Sequence, residues 1–137
     1  MRDTVGTLVD SNVLLDVATA DPIWSSWSET RLAAAVRRGP VCINPLIYAE
    51  ISVGFDRIED LDDALPPHVF IRAELPYQAG FLAGHAFSAY RRRGGARRSP
   101  LPDFYIGAHA AVAGLQLLTR DATRYRTYFP TVTLIAP

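Results

Sequence analysis

Four acidic residues lie where their carboxylates could meet and do metal-assisted chemistry. Asp10 and Asp121 each follow a short apolar run with the pattern of a buried strand. Glu50 lies in a predicted helix after the second strand, and Asp103 lies in the first turn of a later helix. In parallel α/β sheets the functional crevice lies beyond the carboxyl ends of the strands. We therefore predict that the four carboxylates gather at one edge of a sheet.

Four gathered carboxylates need a counter-charge. At about 4 Å and an effective dielectric near 20, each pair repels by roughly 4 kcal/mol. A hard divalent cation resolves this repulsion, and oxygen ligands favour Mg²⁺ or Mn²⁺. Such an ion can hold a phosphate, activate a water nucleophile and stabilise the leaving oxygen. The pattern thus favours phosphoryl hydrolysis.

Each acid also has a structural interpretation. Asp103 suits a helix N-terminus through the helix dipole, Asp10 suits a strand-to-helix cap, and Asp121 suits a turn. Glu50 is harder to explain in this way because its helix is otherwise largely apolar. On spacing alone, a metal site and a set of capping residues both remain open.

Short apolar strands alternating with helices predict one parallel α/β domain with helices on both faces of the sheet. The predicted strands cover 5–9, 41–43, 68–73, 115–118 and 131–135. The predicted helices cover 12–17, 21–38, a segment from 45 that carries Glu50, an acidic piece over 56–65, 76–91, 103–114 and 122–128. No repeat or second domain is apparent.

The composition is that of a single core-forming domain. The chain has 137 residues, of which 49% are hydrophobic, enough to bury a core without metals or disulfides. The one cysteine, Cys42, lies in an apolar run and is interpreted as a small buried hydrophobe. No apolar run approaches the roughly 18 residues of a membrane span, and the start does not resemble a signal peptide. We expect a soluble, cytoplasmic protein.

All 14 basic residues are arginine, and the chain has no lysine. This excludes a Walker P-loop lysine and a Schiff base. It also argues against phospho-accepting receiver domains and haloacid-dehalogenase folds, which place a lysine beside their aspartates. These alternative acidic-site functions are therefore disfavoured.

A basic segment precedes Asp103. It contains Arg91, Arg92, Arg93, Arg97 and Arg98. The first 90 residues carry a net charge of −6 and the remaining residues carry +6. The net charge of zero therefore results from an acidic and a basic part of the sequence. The segment is either a solvated loop or a site for RNA phosphates.

Taken together, four segments resemble the motifs of PIN domains in family order and spacing. They are 7–16 (TLVDSNVLLD), 48–54 (YAEISVG), 102–110 (PDFYIGAHA) and 117–121 (LLTRD). Together they span nearly the whole chain, and the ordered set is far more specific than any one motif. The chain is therefore identified as similar to PIN-domain ribonucleases, and in particular to the VapC-type toxins of VapBC toxin-antitoxin pairs.

The resemblance implies a single PIN domain over 1–137, built as a three-layer α/β/α sandwich with a central five-stranded parallel sheet in order 3-2-1-4-5. It makes Asp10, Glu50, Asp103 and Asp121 the catalytic, Mg²⁺-binding carboxylates. Supporting roles fall to Ser11, Asn12 and Thr119, with Asp16 as an outer acid. Ser11 stands where threonine is commoner, and His109 and Tyr125 also depart from the usual residues.

The resemblance also implies an activity and partners. Metal-activated water would cut structured RNA, either transfer or ribosomal, leaving a 5′-phosphate and a 3′-hydroxyl and so inhibiting translation. A VapB-type antitoxin would bind a helical groove, and the toxin would form a homodimer. The predicted groove residues are Trp24, Trp27, Phe55, Ile58 and Leu61, although core packing also explains such an apolar stripe.

Two other functions remain open. One is a PIN-fold nuclease of RNA maturation or decay that has no antitoxin. The other is a non-catalytic module that binds RNA or protein, which a missing acid would have favoured. The three histidines, His68, His85 and His109, show no metal-binding spacing and are interpreted as structural or exposed.

Overall fold

A computed structural model of the protein describes residues 6–97 and 101–137. Five short strands form one parallel sheet in the order β3-β2-β1-β4-β5, which confirms the predicted order. The strands are β1 (Thr7–Val9), β2 (Val41–Ile43), β3 (Phe70–Arg72), β4 (Gln116–Leu118) and β5 (Leu134–Ile135). Seven helices connect and cover them in the described residues: α1 (Ser11–Ala18), α2 (Ser25–Arg38), α3 (Pro45–Ser52), α4 (Ile58–Ala64), α5 (Tyr77–Arg92), α6 (Pro102–Ala113) and α7 (Thr123–Tyr128).

The central strand β1 sets the position of the site. All three of its residues are buried, as expected for a strand covered on both faces. Thr7 pairs with Val41 of β2 on one side and with Gln116 of β4 on the other. Because the three strands are parallel and in register, the residues that follow them meet at one edge.

The start of α2 differs from the prediction. A helix was expected from Asp21 and Pro22, but α2 begins at Ser25. The carboxylate of Asp21 accepts hydrogen bonds from the backbone N–H groups of Ile23, at 2.9 Å, and Trp24, at 2.8 Å. These bonds close a separate turn before the helix, a common use of aspartate.

Turns also shorten two predicted strands. The N–H groups of Val69 and Phe70 both donate to the carbonyl of Pro66 at 2.9 Å, so β3 begins at Phe70. Before β5, the N–H of Val132 donates to the carbonyl of Phe129 at 3.1 Å. The first predicted strand includes Val5, which lies outside the described residues.

The α6 helix packs closely because its residues are small. Ala108 and Ala110 are buried, and a Cβ atom added to Gly107 would collide with the ring of Phe129. The small residues thus let α6 approach Phe129 closely, and Asp103 lies in the first turn of this helix.

The helices form the outer layers of the α/β/α sandwich. Helices α5, α6 and α7 pack against one another, and α1 packs against α2 and α3. In the part of the chain that the structure describes, none of the helices combines the length and the apolar character that crossing a membrane requires. Cys42 is buried and not disulfide-bonded, as predicted.

Candidate active site

Asp10 lies at the carboxyl end of β1 and is 4% exposed. Its carboxylate accepts three hydrogen bonds: from the backbone N–H of Ser11 at 2.8 Å, from Thr119 Oγ1 at 2.9 Å and from Tyr125 Oη at 2.9 Å. The first bond caps α1, so the structure shows the capping role that the sequence allows for Asp10. The donors come from three elements and fix the orientation of the carboxylate.

Burial raises the pKa of Asp10 from its ordinary 3.8 to about 6. The hydrogen bonds from Tyr125 and Thr119 oppose this rise, and the negative charge of Asp103 adds to it. A buried carboxylate with an elevated pKa lacks a counter-charge. A cation beside Asp10 would supply one.

Glu50 faces the same region from α3. Ser11 Oγ donates a hydrogen bond to Glu50 Oε1 at 2.9 Å, which links α1 to α3. Burial raises the pKa of Glu50, the Ser11 hydrogen bond lowers it, and the charge of Asp103 raises it further. The charge of Asp103 therefore acts on both Asp10 and Glu50.

Asp103 and Asp121 form the outer part of the group. Both line a cavity of about 320 Å³ beside α7. Asp103 is partly exposed and pairs with Arg124, whose Nη1 lies 3.1 Å from Asp103 Oδ2. Asp121 is exposed, and its backbone N–H donates to Thr119 Oγ1 at 3.2 Å.

The donor set fits a hard divalent cation, although the side chains are not gathered around one point. Within residues 6–97 and 101–137, no three acidic, histidine or cysteine side chains enclose a position for a metal ion. Glu50 is bonded to Ser11 and Asp103 to Arg124, and carboxylates without a cation repel one another. Their oxygens, at one sheet edge and within electrostatic reach, are the ligands that Mg²⁺ takes in proteins.

The predicted supporting residues lie beside these acids. Thr119 is fully buried and bridges Asp10 to the backbone of Asp121. Asn12 contacts the same turn, because its Oδ1 accepts from the backbone N–H of Arg120 at 3.1 Å. The ends of β1 and β4 are thus joined through side chains.

A comparison with protein families now decides the identity of the domain. The family model for the PIN domain matches residues 7–130, which is nearly the whole chain. The chain belongs to the PIN domain family. The sequence-based prediction of the family is confirmed, and membership in a family of nucleases supports a nuclease in general terms.

Solved structures with the same fold come from toxin-antitoxin systems. VapBC2 from Rickettsia felis, bound to a DNA fragment from its promoter, matches with a TM-score of 0.74 and 14% identity over 97% of this chain and 99% of that chain. VapBC-1 from nontypeable Haemophilus influenzae matches with a TM-score of 0.73 and 16% identity, over 96% of this chain and 98% of that chain. FitAcB from Neisseria gonorrhoeae matches with a TM-score of 0.66 and 16% identity, over 94% of this chain and 96% of that chain. No curated protein matches the sequence.

Asp16 of this PIN domain is occupied in an ion pair. Arg120 Nε lies 2.9 Å from Asp16 Oδ2, Arg120 Nη2 lies 2.9 Å from Oδ1, and Ser28 Oγ donates to Oδ2 at 2.8 Å. The Asp16 side chain is 3% exposed. A bidentate arginine pair of this kind is a strong interaction and gives the predicted outer acid a structural partner.

The arginine segment of the PIN domain lies partly in the described structure. Arg91, Arg92, Arg93 and Arg97 are exposed, and Arg98 lies outside the described residues. Arg91 Nη1 donates to the carbonyl of Arg97 at 2.6 Å. Arg93 lies over the ring of Tyr128 at 5.4 Å, so one arginine of the segment lies near the cavity that Asp103 lines.

The predicted antitoxin-groove residues differ in exposure. Leu61 is 2% exposed and belongs to the core, whereas Ile58 is 61% exposed. Phe55, Ile58 and Leu61 line a cleft of about 160 Å³ between α3 and α4. Trp24 and Trp27 pack edge to face with ring centres 6.1 Å apart. A partner can therefore reach Ile58, while Leu61 supports the floor beneath it.

The prediction assigned no role to two residues that the structure brings to the acids. Arg124 pairs with Asp103, and Tyr125 donates to Asp10. They follow Asp121 by three and four residues, which is about one helical turn. That spacing is a signal that sequence reasoning could have used.

His109 and Asn44 form a second unassigned link. Asn44 Nδ2 lies 3.0 Å from His109 Nδ1, and both residues are buried. Asn44 also caps α3 by accepting from the N–H of Ile47 at 3.0 Å. The contact joins the helix of Glu50 to the helix of Asp103. Burial lowers the pKa of His109, so the ring is neutral at pH 7, as expected for a structural histidine.

Replacing Tyr125 with phenylalanine is expected to raise the pKa of Asp10 further. The lost hydroxyl stabilises the ionised carboxylate, and a hydrogen bond to a charged group is worth about 1.5–3 kcal/mol. The carboxyl carbon of Asp10, followed by NMR across a pH series without metal, would report the change. Tyr105→Phe is the matched control. An unchanged Asp10 titration in the Tyr125→Phe variant would show that the hydroxyl does not act on this carboxylate.

Proposed function

We propose that this PIN domain is a metal-dependent endoribonuclease, using Mg²⁺ or Mn²⁺, and the toxin of a VapBC-type pair. The observation that carries the proposal is that Asp10 and Glu50 are joined through Ser11 and both feel the negative charge of Asp103. The family match gives these acids a context, because they lie within the matched residues.

The residues of this chain hold the proposed metal ligands in position. Asp10 is held by three donors, so it needs no reorientation to act as a ligand. Glu50, Asp103 and Asp121 complete the set of oxygens, and the last two face a solvent-accessible cavity. A bound Mg²⁺ or Mn²⁺ would supply a Lewis acid and lower the pKa of the water that it holds. No histidine is needed as a base.

RNA is the proposed substrate because the site lies beside exposed arginines. Arg93 lies near the cavity at the acids, and Arg91, Arg92 and Arg97 of the same segment are exposed. Arginine side chains bind phosphates and contribute affinity that does not depend on sequence. This segment would hold the RNA backbone beside the acids.

The toxin role draws on the solved relatives. The complexes from Rickettsia felis and Haemophilus influenzae are VapBC assemblies, and the likeness covers nearly the whole of each matched chain. By this likeness the protein would have a VapB-type antitoxin partner. From the resemblance of its motifs to VapC-type toxins, we infer that it would also form a homodimer and act on cytoplasmic transfer or ribosomal RNA. The cleft at Phe55 and Ile58 is the surface assigned to the antitoxin.

The direct test uses purified, antitoxin-free protein and total bacterial RNA. The RNA is incubated with the protein and Mg²⁺, with EDTA, and with EDTA followed by excess Mg²⁺. New 5′-phosphate ends are then sequenced. We expect discrete cuts that disappear with EDTA and return with Mg²⁺, because the acids need a cation to act.

Each outcome of this test is decisive. Cuts that persist in EDTA would contradict a metal-dependent mechanism. No cuts by well-folded protein in either Mg²⁺ or Mn²⁺ would contradict the nuclease and favour a binding module. Cleavage of many RNAs without discrete sites would retain the nuclease but contradict a selective toxin.

A further inference from the structure

The cavity beside α7 is lined by other residues besides the proposed metal ligands. This cavity, called here the α7 cavity, lies between α5, α6 and α7. Its lining residues are Tyr90, Asp103, Asp121, Thr123, Arg124, Thr127 and Tyr128. Two of the seven are the proposed metal ligands. The other five are aromatic rings, hydroxyls and a guanidinium, which are groups that bind a nucleotide.

The aromatic residues form a supported platform. The rings of Tyr90 and Tyr128 lie 6.3 Å apart at 73°. Phe104 packs against both of them, with ring centres 5.5 Å from each. Both tyrosines are partly exposed and Phe104 is fully buried. The platform is thus held rigid from below while its upper part faces the cavity.

Positive charge lies over the same rings. Arg124 lies 5.8 Å from the centre of the Tyr90 ring, and Arg93 lies 5.4 Å from that of Tyr128. Guanidinium groups next to aromatic rings are a recurring arrangement in proteins that bind single-stranded nucleic acid. Bases stack on the rings while phosphates lie at the cations.

We propose that the α7 cavity is the subsite for a nucleotide adjacent to the scissile phosphate of single-stranded RNA. The proposal rests on the proposed nuclease function, because it uses Asp103 and Asp121 to place the scissile phosphate. The base stacks on Tyr128 when the Arg93 guanidinium that lies over this ring moves to a neighbouring phosphate. Thr123 and Thr127 offer hydroxyls to its edge. The neighbouring phosphates lie at Arg93 and Arg124.

The cavity favours an unpaired nucleotide. Its volume of about 320 Å³ accommodates one base with its ribose. A base within a duplex would first have to be unpaired and unstacked, which costs energy that an unpaired base does not spend. The subsite would therefore direct cleavage to loops and other unpaired regions of a folded RNA.

The first test measures RNA binding without cleavage. The probe is a fluorescein-labelled single-stranded RNA octamer of mixed sequence, used in EDTA and followed by fluorescence anisotropy. Thr127→Glu changes an exposed residue of α7 and places a negative charge in the cavity. It is expected to weaken binding about tenfold. Thr30→Glu adds the same charge at an exposed position of α2 and is the matched control.

A second pair of variants tests the platform. Tyr128→Ala is expected to weaken binding of the same RNA about tenfold, since stacking on an aromatic ring is lost. Tyr77→Ala removes a tyrosine that is 97% exposed on α5 and does not line the cavity, so it should bind like the wild type. Circular dichroism and the melting temperature verify that each variant is folded.

Cross-linking locates the RNA on the protein. The same octamer containing 4-thiouridine is irradiated on the wild-type protein, and the attached peptide is identified by mass spectrometry. Attachment at Tyr90 or Tyr128 is expected. Attachment elsewhere, equal weakening by Thr127→Glu and Thr30→Glu, or no binding by the wild type would overturn the subsite.

These results separate the subsite from the nuclease. Metal-free binding that Thr127→Glu weakens, together with no Mg²⁺-dependent cleavage, would retain the subsite as an RNA-binding site and overturn the enzyme. Cleavage that is equally fast in the wild type and in Thr127→Glu, with unchanged binding, would retain the enzyme and overturn the subsite.

Discussion

Asp10→Asn is expected to lower Mg²⁺-dependent RNA cleavage by at least about a thousandfold and, at the same time, to stabilise the metal-free protein at pH 7. The loss of activity follows from the removal of a charged ligand at the centre of the proposed site. The gain in stability follows from the burial of Asp10, which is 4% exposed. Few substitutions in a core raise stability, so the combination is distinctive.

The gain in stability depends on pH in a defined way. Burial raises the pKa of Asp10 from 3.8 to about 6 in the folded protein. Below pH 3.8 the carboxyl is protonated in both states, and the favourable contribution of the protonated form is fully present. As the pH rises from 3.8 through 6, the unfolded chain ionises first and this contribution is lost. The wild type should therefore lose about 3 kcal/mol of stability between about pH 4 and 7 through this group.

The amide introduced by Asp10→Asn does not titrate, so the difference between variant and wild type should grow across that range. Thermal and urea unfolding in EDTA from pH 4 to 8 would measure it, with Asp63→Asn, which changes an exposed acid of α4, as the control. Excess Mg²⁺ should stabilise the wild type at pH 7 and leave Asp10→Asn nearly unchanged. An Asp10→Asn variant that is less stable than the wild type at pH 7 would contradict the buried, unpaired charge.

The position of the inner acids could be predicted because it follows from the parallel sheet. Asp10 ends a buried strand, and the register of β1 with β2 and β4 brings the next elements to the same edge. Glu50 was expected there because an acid on an apolar helix needs a partner. The structure gives it Ser11 and places it within the influence of Asp103.

The spacing of Arg124 and Tyr125 from Asp121 could have placed them near that acid, but their partners could not be predicted. These partners depend on how α7 packs against α6 and α5, which no local pattern specifies. The sequence pattern predicts Tyr125 to be an apolar core residue, yet its hydroxyl donates a hydrogen bond to the buried carboxylate of Asp10. Secondary-structure propensity also gives the wrong starting residue for α2 and β3. At both places a hydrogen-bonded turn precedes the element, closed by a side chain before α2 and by the backbone before β3.

The same limit applies to Asp16. It lies on α1 nearly two helical turns from the site edge and was expected to be an outer acid of the metal site. Its partner, Arg120, is 104 residues away in sequence, at the turn between Thr119 and Asp121. Only the fold shows that the acid is already neutralised.

Arg120→Ala is accordingly expected to lower stability by about 2–3 kcal/mol. Removing one partner of a buried ion pair leaves the other charge unpaired, which costs roughly 3–5 kcal/mol, and the 31% exposure of the Arg120 side chain reduces this value. Chemical denaturation at pH 7 would measure the loss. Arg126→Ala, which changes an exposed arginine of α7, is the matched control.

A double-mutant cycle with Asp16→Asn distinguishes the two roles of this acid. If Asp16 acts through Arg120, the double variant should recover part of the stability that Arg120→Ala loses, because no charge remains buried. The Mg²⁺ concentration that half-saturates the protein should then be similar in the wild type and in folded Asp16→Asn. A large loss of Mg²⁺ binding in Asp16→Asn, with additive effects on stability in the cycle, would instead make Asp16 part of the metal site.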